Sequence, residues 1–394
     1  MKPGLLILIA IVLVGGMLAV ALYIPNSLSA GSDFSALYNT DLALVNRAPI
    51  YDLEAVEALA VKASGVPPEK FFLARFPYPP WYALSTFYLG LLPAQSAATL
   101  WFEINIVMLL LSIWLLTDGW NGRLRLITFP LALFFLPVLG ALSVGQYDFP
   151  VLLGTSLLIY ALRRENTDLI TLGAVLLTFK PHVGVLVLLS LLIYLISARN
   201  NFGQHTVQSI MIAGFGLLVI GFIADPKWVI RYPAILLSYQ GEGNVSSCSE
   251  CVSLPVFMSR WFFDGSLKSA ILIAVVVFIL LFLLFYQVRT GLLNSCDVFL
   301  NTALLTTLLI CPYLYNYDFL LLLAPFIFLV DDGGWHRKIL VGFCYLMPTL
   351  MIAIYGRSGN ITLLAATLIL SAMIFLRVRT QVDANRLRSY NTNL

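Results

Sequence analysis

Ser269-Ala270-Ile271-Leu272-Ile273-Ala274-Val275-Val276-Val277-Phe278-Ile279-Leu280-Leu281-Phe282-Leu283-Leu284-Phe285-Tyr286-Gln287 runs without a single charged side chain. As a helix it reaches about 28 Å at 1.5 Å per residue, close to the roughly 30 Å hydrocarbon core of a bilayer. Its composition suits a lipid environment on every side, because no face of the helix carries the polar stripe that water would need.

The same reading extends outward to eleven further apolar runs, at about 4–24, 97–117, 126–143, 147–162, 168–180, 183–198, 207–224, 297–313, 317–330, 338–355 and 360–376. Across all 394 residues, 60% are hydrophobic and 11% charged, with mean hydropathy +0.91. A soluble domain carries roughly 25% charged residues and cannot hide so large an apolar fraction. The fold expected is an all-α polytopic membrane protein with about twelve transmembrane helices in one integral membrane domain spanning 1–394. Gly4 to Ile24 is longer than a usual signal-peptide core, which favours a retained first helix over a cleaved leader.

Two joints test that count. Leu169 to Phe179 reaches only about 16 Å as helix. Either two short spans meet at a bend near Lys180, or one long helix carries a buried lysine and everything downstream changes sides; the bent pair keeps the basic residues in order. With the N-terminus inside, Arg123, Arg125, Arg163, Arg164, Arg199, Arg289, Arg337, Lys338, Arg377 and Arg379 all fall on the inner side, nearly all in short loops or in the tail at 377–394. That agrees with the positive-inside rule.

Two longer polar segments then lie outside, 25–96 and 225–268. In the first, Ser32-Asp33 marks a helix start, with Phe34, Leu37, Tyr38, Leu42 and Val45 at helical spacing, giving a surface helix. Asp52 caps a second helix that Gly65 ends. Phe76-Pro77-Tyr78-Pro79-Pro80 is stiff and extended, and the piece after it, Trp81 to Leu92, reaches about 18 Å and is too short to cross. In the second, Cys248-Ser249-Glu250-Cys251 fits a local disulfide; a redox role lacks its βαβ context.

Five polar clusters converge on the outer side in this threading: Asp33, Tyr78, Gln146-Tyr147-Asp148, Lys180-Pro181-His182 and the stretch from Tyr313 to Asp318. Ionisable groups at membrane depth are costly and face a bundle interior or a wet cavity. Their convergence points to one external site fed partly from the lipid. A net charge of +3 with dispersed basic residues gives no nucleic-acid footprint. His182, His205 and His336 are far apart, and the five cysteines have no zinc spacing, so neither a metal nor another cofactor is expected.

In their order along the chain, Gly31-Ser32-Asp33-Phe34, Pro49-Ile50-Tyr51-Asp52, Phe76-Pro77-Tyr78-Pro79-Pro80, Leu100-Trp101, Gly145-Gln146 and Lys180-Pro181 resemble the pattern of glycosyltransferase family 87. This family is of GT-C type fold and includes polyprenol-phosphate-mannose-dependent mannosyltransferases. The resemblance covers about residues 30–330 and is strongest before residue 200. It implies an enzyme that moves a hexose, mannose first among the candidates, from a polyprenyl-phosphate-linked donor to a glycan or glycolipid acceptor hydroxyl. The setting it implies is the outer face of the plasma membrane, with no cofactor beyond the lipid-linked donor itself.

Carried over residue by residue, the resemblance implies that Asp33 is the general base of an inverting displacement, in addition to its bland reading as a helix-start residue. Lys180 would offset the phosphate charge, where the plainer alternative is a lysine snorkelling at a helix end. His182 would add a donor, and Gln146 would bind sugar hydroxyls. Asp148 departs from the family pattern, where asparagine is more usual, which leaves the donor preference open. Tyr78 shapes the pocket wall. Tyr315 and Asp318 belong to an aromatic stretch that suits sugar stacking and an interfacial belt equally. The alternative function, a transporter or lipid flippase, should show internal repeats with matching broken helices; none is visible.

Overall fold

The computed structural model describes residues 23–24, 28, 32–66, 73, 75–242, 251–287, 289–293, 295–312, 314–331 and 334–392. Most of the opening apolar run, together with Cys248 and Tyr313, lies outside them. The described chain is helical, with no strand among these residues.

The first polar segment contributes α1 (Asp33–Val45), α2 (Leu53–Ser64) and α3 (Pro80–Thr86), followed by a 3-10 turn at Phe87–Leu91. Asp52 caps α2 as its sequence predicts, accepting from Ala55 N–H at 3.4 Å, and Gly65 closes it in the left-handed conformation. α1 differs from the expected surface helix. Phe34 and Leu37 are buried, but so are Asp41 on the same face and Asn39 and Thr40 beyond it, because α1 packs against Phe87–Leu91 and α3. The Trp81–Leu92 piece is short, as expected, and forms no span.

Next come α4 (Ala94–Leu116), α5 (Gly122–Leu133), α6 (Leu136–Val144), α7 (Asp148–Leu162), α8 (Thr167–Leu177), α9 (Pro181–Ala198) and α10 (Asn201–Ala224). The expected single run at 126–143 is two helices, α5 and α6, bent by 55°. Pro137 opens α6, where its missing N–H costs nothing. The 168–198 stretch is likewise two helices, α8 and α9, meeting at Lys180.

The second half holds α11 (Trp228–Glu242), α12 (Leu254–Phe262), α13 (Leu267–Tyr286), α14 (Arg289–Leu293), α15 (Cys296–Ile310), α16 (Leu323–Asp331), α17 (Trp335–Tyr355) and α18 (Ile361–Thr392), with a 3-10 turn at Asn316–Leu322 leading into α16. α17 and α18 pack on each other through the turn Gly356–Asn360.

Among the described residues, five stretches are long and apolar enough to cross a membrane: Ala94–Leu116, Pro181–Ala198, Asn201–Ala224, Lys268–Tyr286 and Trp335–Thr380. Counting the bent α5–α6 pair makes six. These counts cover the described residues alone: the first expected span, 4–24, lies mostly outside them, Trp335–Thr380 takes in two of the expected runs, and α7, α8 and α15 are apolar but shorter than a full crossing. Neighbours enclose these short helices. Nearly every residue of α7 is buried, Asp148 and Phe149 through Leu162, whereas only 11% of the α13 span is. α7 and α8 cross at Gly154 and Gly173, where a Cβ on Gly154 would sit 2.8 Å from the Gly173 carbonyl oxygen. Only glycine allows that approach.

Candidate functional site

Four non-helical junctions meet at one end of the bundle: the start of α1, the α6–α7 loop, the α8–α9 bend and the turn before α16. Asp33 is the first residue of α1, where the unpaired N–H groups of the helix favour a carboxylate. Ser32 does not cap that helix; its hydroxyl donates to the Leu28 carbonyl at 2.6 Å. Instead Gln146 Nε2 donates to Asp33 Oδ2, and the Tyr147 hydroxyl donates to the Asp33 backbone carbonyl.

Gly145 makes this docking possible. Its φ is +70°, and a Cβ there would lie 2.7 Å from the Phe34 Cβ. Its carbonyl accepts from Trp101 Nε1 at 2.9 Å, so Leu100-Trp101 and Gly145-Gln146, 44 residues apart, are physically one unit.

An aromatic wall backs the loop. The Tyr147 ring lies 4.6 Å from Tyr78 and 5.6 Å from Tyr82, edge to face in both cases. Tyr82 stacks on Phe179 at 4.5 Å. The Tyr51 hydroxyl donates to the Tyr78 carbonyl at 2.6 Å, fixing the Phe76–Pro80 segment. Trp101, Tyr82 and Tyr147 are nearly inaccessible, so they shape the site rather than offer a surface. Tyr147 belongs to the polar cluster at 146–148, whereas Tyr82 sits in an apolar run without a distinguishing pattern.

Behind this wall lies a dry ion cluster. Lys180, 2% exposed, donates to both oxygens of Asp148 at 2.9 Å and to Asp318 Oδ1. Both carboxylates have no exposed surface. Asp318 Oδ2 accepts from the Tyr315 N–H at 2.6 Å, which closes the turn into Asn316–Leu322. Lys180 thus joins the α7 start, the α9 start and the α16 approach. The resemblance implies an accessible Lys180 charge for a phosphate, but that charge is matched here by two buried carboxylates. His182, in the first turn of α9, is exposed.

Tyr317 links the two halves of the site. Its ring centre is 5.3 Å from Lys180 Nζ and stacks on Tyr315 at 5.1 Å. Both Asp33 and Asp318 lie within electrostatic reach of its hydroxyl. All eight candidate residues, Asp33, Tyr78, Gln146, Asp148, Lys180, His182, Tyr315 and Asp318, therefore fall at the same end of the bundle. Asp33 is partly exposed, unlike the other two carboxylates.

Two features at this end escaped the sequence. Arg231 of α11 bonds Asp225 and Asp52, each at 3.2 Å, tying the second polar segment to the cap of α2. Nothing in the local sequence of Arg231 announces partners 6 and 179 residues away. Cys251 pairs with Tyr315 as an isolated antiparallel bridge, with Val252 N–H donating to the Leu314 carbonyl at 3.0 Å. Cys251 is disulfide-bonded.

One more carboxylate, Asp41 of α1, is fully buried. Its Oδ1 accepts from the Thr86 hydroxyl at 3.1 Å, while its Oδ2 has no partner. Burial pushes its pKa well above the ordinary carboxylate range. Among the described residues, no three His, Cys, Asp or Glu side chains group closely enough to hold a metal ion.

The arrangement therefore offers one partly exposed, amide-held carboxylate able to take a proton from a hydroxyl, flanked by tyrosines. The model of glycosyltransferase family 87 matches residues 76–312. The match includes Tyr78, Gln146, Asp148, Lys180 and His182, while Asp33, Tyr315 and Asp318 lie on either side of it. No curated protein and no solved structure matches the chain. With more than half of its length covered by that model and its helices suited to a bilayer, the chain belongs to glycosyltransferase family 87 and is a membrane glycosyltransferase.

Proposed function

We propose that the protein transfers a hexose, mannose first among the candidates, from a polyprenyl-phosphate-linked donor to an acceptor hydroxyl, with inversion and with Asp33 as general base. The observation that carries this reading is the setting of Asp33. It is the partly exposed carboxylate of the site, presented at a helix start and held by Gln146, while Asp148 and Asp318 are committed to Lys180. In the displacement, the acceptor oxygen bonds to the anomeric carbon and its proton passes to Asp33. The bond from that carbon to the phosphate oxygen breaks with its electron pair, releasing the polyprenyl phosphate.

A phosphate leaving group departs without a general acid but needs positive charge nearby. Lys180 acts in this reading by positioning: it holds the loop that carries Gln146 and the turn that carries Tyr317 against Asp33. His182 is the exposed side chain next to it. Tyr315 and Tyr317 offer faces for the sugar. The second polar segment, brought to Tyr315 by Cys251 and Val252, is suited to acceptor recognition. A GT-C type architecture, twelve crossings and an outward-facing site in the plasma membrane belong to the same proposal, supported by the basic residues at the opposite end.

The test is sugar transfer by the purified protein with polyprenyl-phosphate-mannose and membrane acceptors. Asp33→Ala should lose turnover by at least 100-fold while donor binding stays within about threefold, because a base acts in the chemical step. Turnover at the wild-type rate in Asp33→Ala would remove the assigned base. Movement of an unmodified solute or lipid across proteoliposomes, without transfer, would favour the transporter or flippase reading.

A further inference from the structure

The second polar segment, 225–268, is entered and left through the two least enclosed of the described spans. Only 17% of the Asn201–Ala224 span and 11% of the Lys268–Tyr286 span are buried, so both face lipid over most of their surface. Asp225-Pro226-Lys227 is all that separates α10 from α11, and Phe263-Asp264-Gly265-Ser266 all that separates α12 from α13. Even fully extended, these connections reach no more than about 15 Å and about 18 Å. The start of α11 and the end of α12 are therefore confined to the membrane boundary.

Each helix docks one face on protein and leaves an apolar face open. On α11, Arg231 bonds Asp52 and Asp225, the Tyr232 ring lies 5.6 Å from Tyr51, and Trp228 lies 5.7 Å from Trp81. At helical spacing those residues share one side. The opposite side carries Val229, Ile230, Pro233 and Ala234, all exposed, with Ile230 at 76%. Phe222 and Ile223, in the last turn of α10, are exposed as well. On α12, Val256 packs with Ala270 and Tyr315, and the hydroxyls of Ser259 and Ser269 share a hydrogen bond of 2.6 Å, which fixes the helix against the first turn of α13. Its end presents Trp261, Phe262 and Phe263 in succession, with Trp261 73% exposed, beside the exposed charges of Asp264 and Lys268. Large aromatics next to charges at the mouth of a span are the composition of a water–lipid boundary.

We propose that α11 and α12 are interfacial helices, with Val229, Ile230, Trp261, Phe262 and Phe263 immersed in the boundary between headgroups and acyl chains. The bilayer is the partner these faces fit, because each adjoins a span that already faces lipid and is held at the depth where that span begins or ends. The docked faces of the same segment reach Tyr51 and Asp52 through α11, and Leu314 and Tyr315 through Val252 and Val256. The lipid surface thus holds the segment that flanks the site. The placement of these helices does not depend on the reaction assigned to Asp33.

The test uses the full-length protein in phosphatidylcholine nanodiscs, one copy per disc. Tryptophan emission is quenched from the lipid by 6,7-dibromo phosphatidylcholine or from the water by iodide. Ile230→Trp should add emission that the brominated lipid lowers at least about twofold and that about 0.2 M iodide lowers less than about 1.2-fold. Trp261→Phe should remove emission from the wild-type signal with the same two responses. Emission at these positions that iodide quenches and brominated lipid does not would place both faces in water and overturn the proposal. So would emission that neither quencher reaches, which would show that other parts of the chain cover them. If Trp261→Phe fails to fold, Phe262→Trp repeats the measurement on α12, and if Ile230→Trp fails, Val229→Trp repeats it on α11.

Discussion

The two ends of α7 carry ion pairs built for opposite surroundings. At its start, Asp148 shares Lys180 with Asp318, and all three side chains are at most 2% exposed. At its end, Arg163 pairs with Asp297 at 2.5 Å, but the two side chains are 32% and 19% exposed. The first cluster is dry, so removing one member leaves a charge that cannot return to water. The second is wet, and water replaces whatever is lost. The contrast follows the work of each end. The Asp148 end must hold four junctions in one geometry around Asp33, while the Arg163 end anchors helices where water and headgroups begin.

Breaking the dry cluster should have the largest effect. Lys180→Met should cost about 3–5 kcal/mol, read as loss of folded protein in thermal unfolding in detergent, because two carboxylates remain buried without their cation. Combining it with Asp148→Asn and Asp318→Asn should recover most of that loss. If the single variant unfolds at the wild-type temperature, the cluster is not dry.

Gly145→Ala comes next. A left-handed residue with a Cβ crowding Phe34 should cost about 1–2 kcal/mol and shift the loop that holds Asp33, lowering transfer more than stability. Equal losses in both would show that the loop does not position Asp33.

Asp41 sharpens the comparison through pH, since it is a buried acid with no cation in the described structure around it. In the unfolded chain it ionises near pH 4, but in the folded protein it keeps its proton to higher pH. Above pH 4 the folded state therefore binds more protons, and the Asp41 contribution to stability falls as pH rises until its folded pKa is passed. Asp41→Asn should flatten that slope between pH 5 and 8 and leave the protein as stable as wild type or more so at pH 7, measured by thermal unfolding across pH.

The smallest effect is expected at the wet end. Arg163→Ala should cost about 0.2–1 kcal/mol, less in high salt, by the same unfolding assay. A loss as large as that of Lys180→Met would erase the distinction between the ends.

The stretch Ser269–Gln287, which reveals the membrane class most openly, lies in α13, the least enclosed of the crossing helices. The reason is that lipid is as apolar as a side-chain core, so the most uniformly hydrophobic helix is the one that faces lipid. The enclosed helices α7 and α15 are shorter and carry Ser, Thr, Asn and Asp among their buried residues. Residue runs alone could not tell a short enclosed helix from a full crossing. In α1 the apolar spacing predicts the burial of Phe34 and Leu37, and packing against Phe87–Leu91 buries Asn39, Thr40 and Asp41 as well.

Composition and charge order determined that this chain is helical, sits in a membrane and gathers its polar groups at one end, because those properties are sums over local chemistry. Helix ends such as Asp52 and Gly65 were equally legible, since a cap is decided within one turn. Only the tertiary structure decided that Gln146 holds Asp33 from 113 residues away, and that Lys180 is shared by carboxylates 32 and 138 residues distant. A charge in a sequence shows its sign but not its partner. Whether Lys180 is an open cation or a buried clamp depends on which helices close over it.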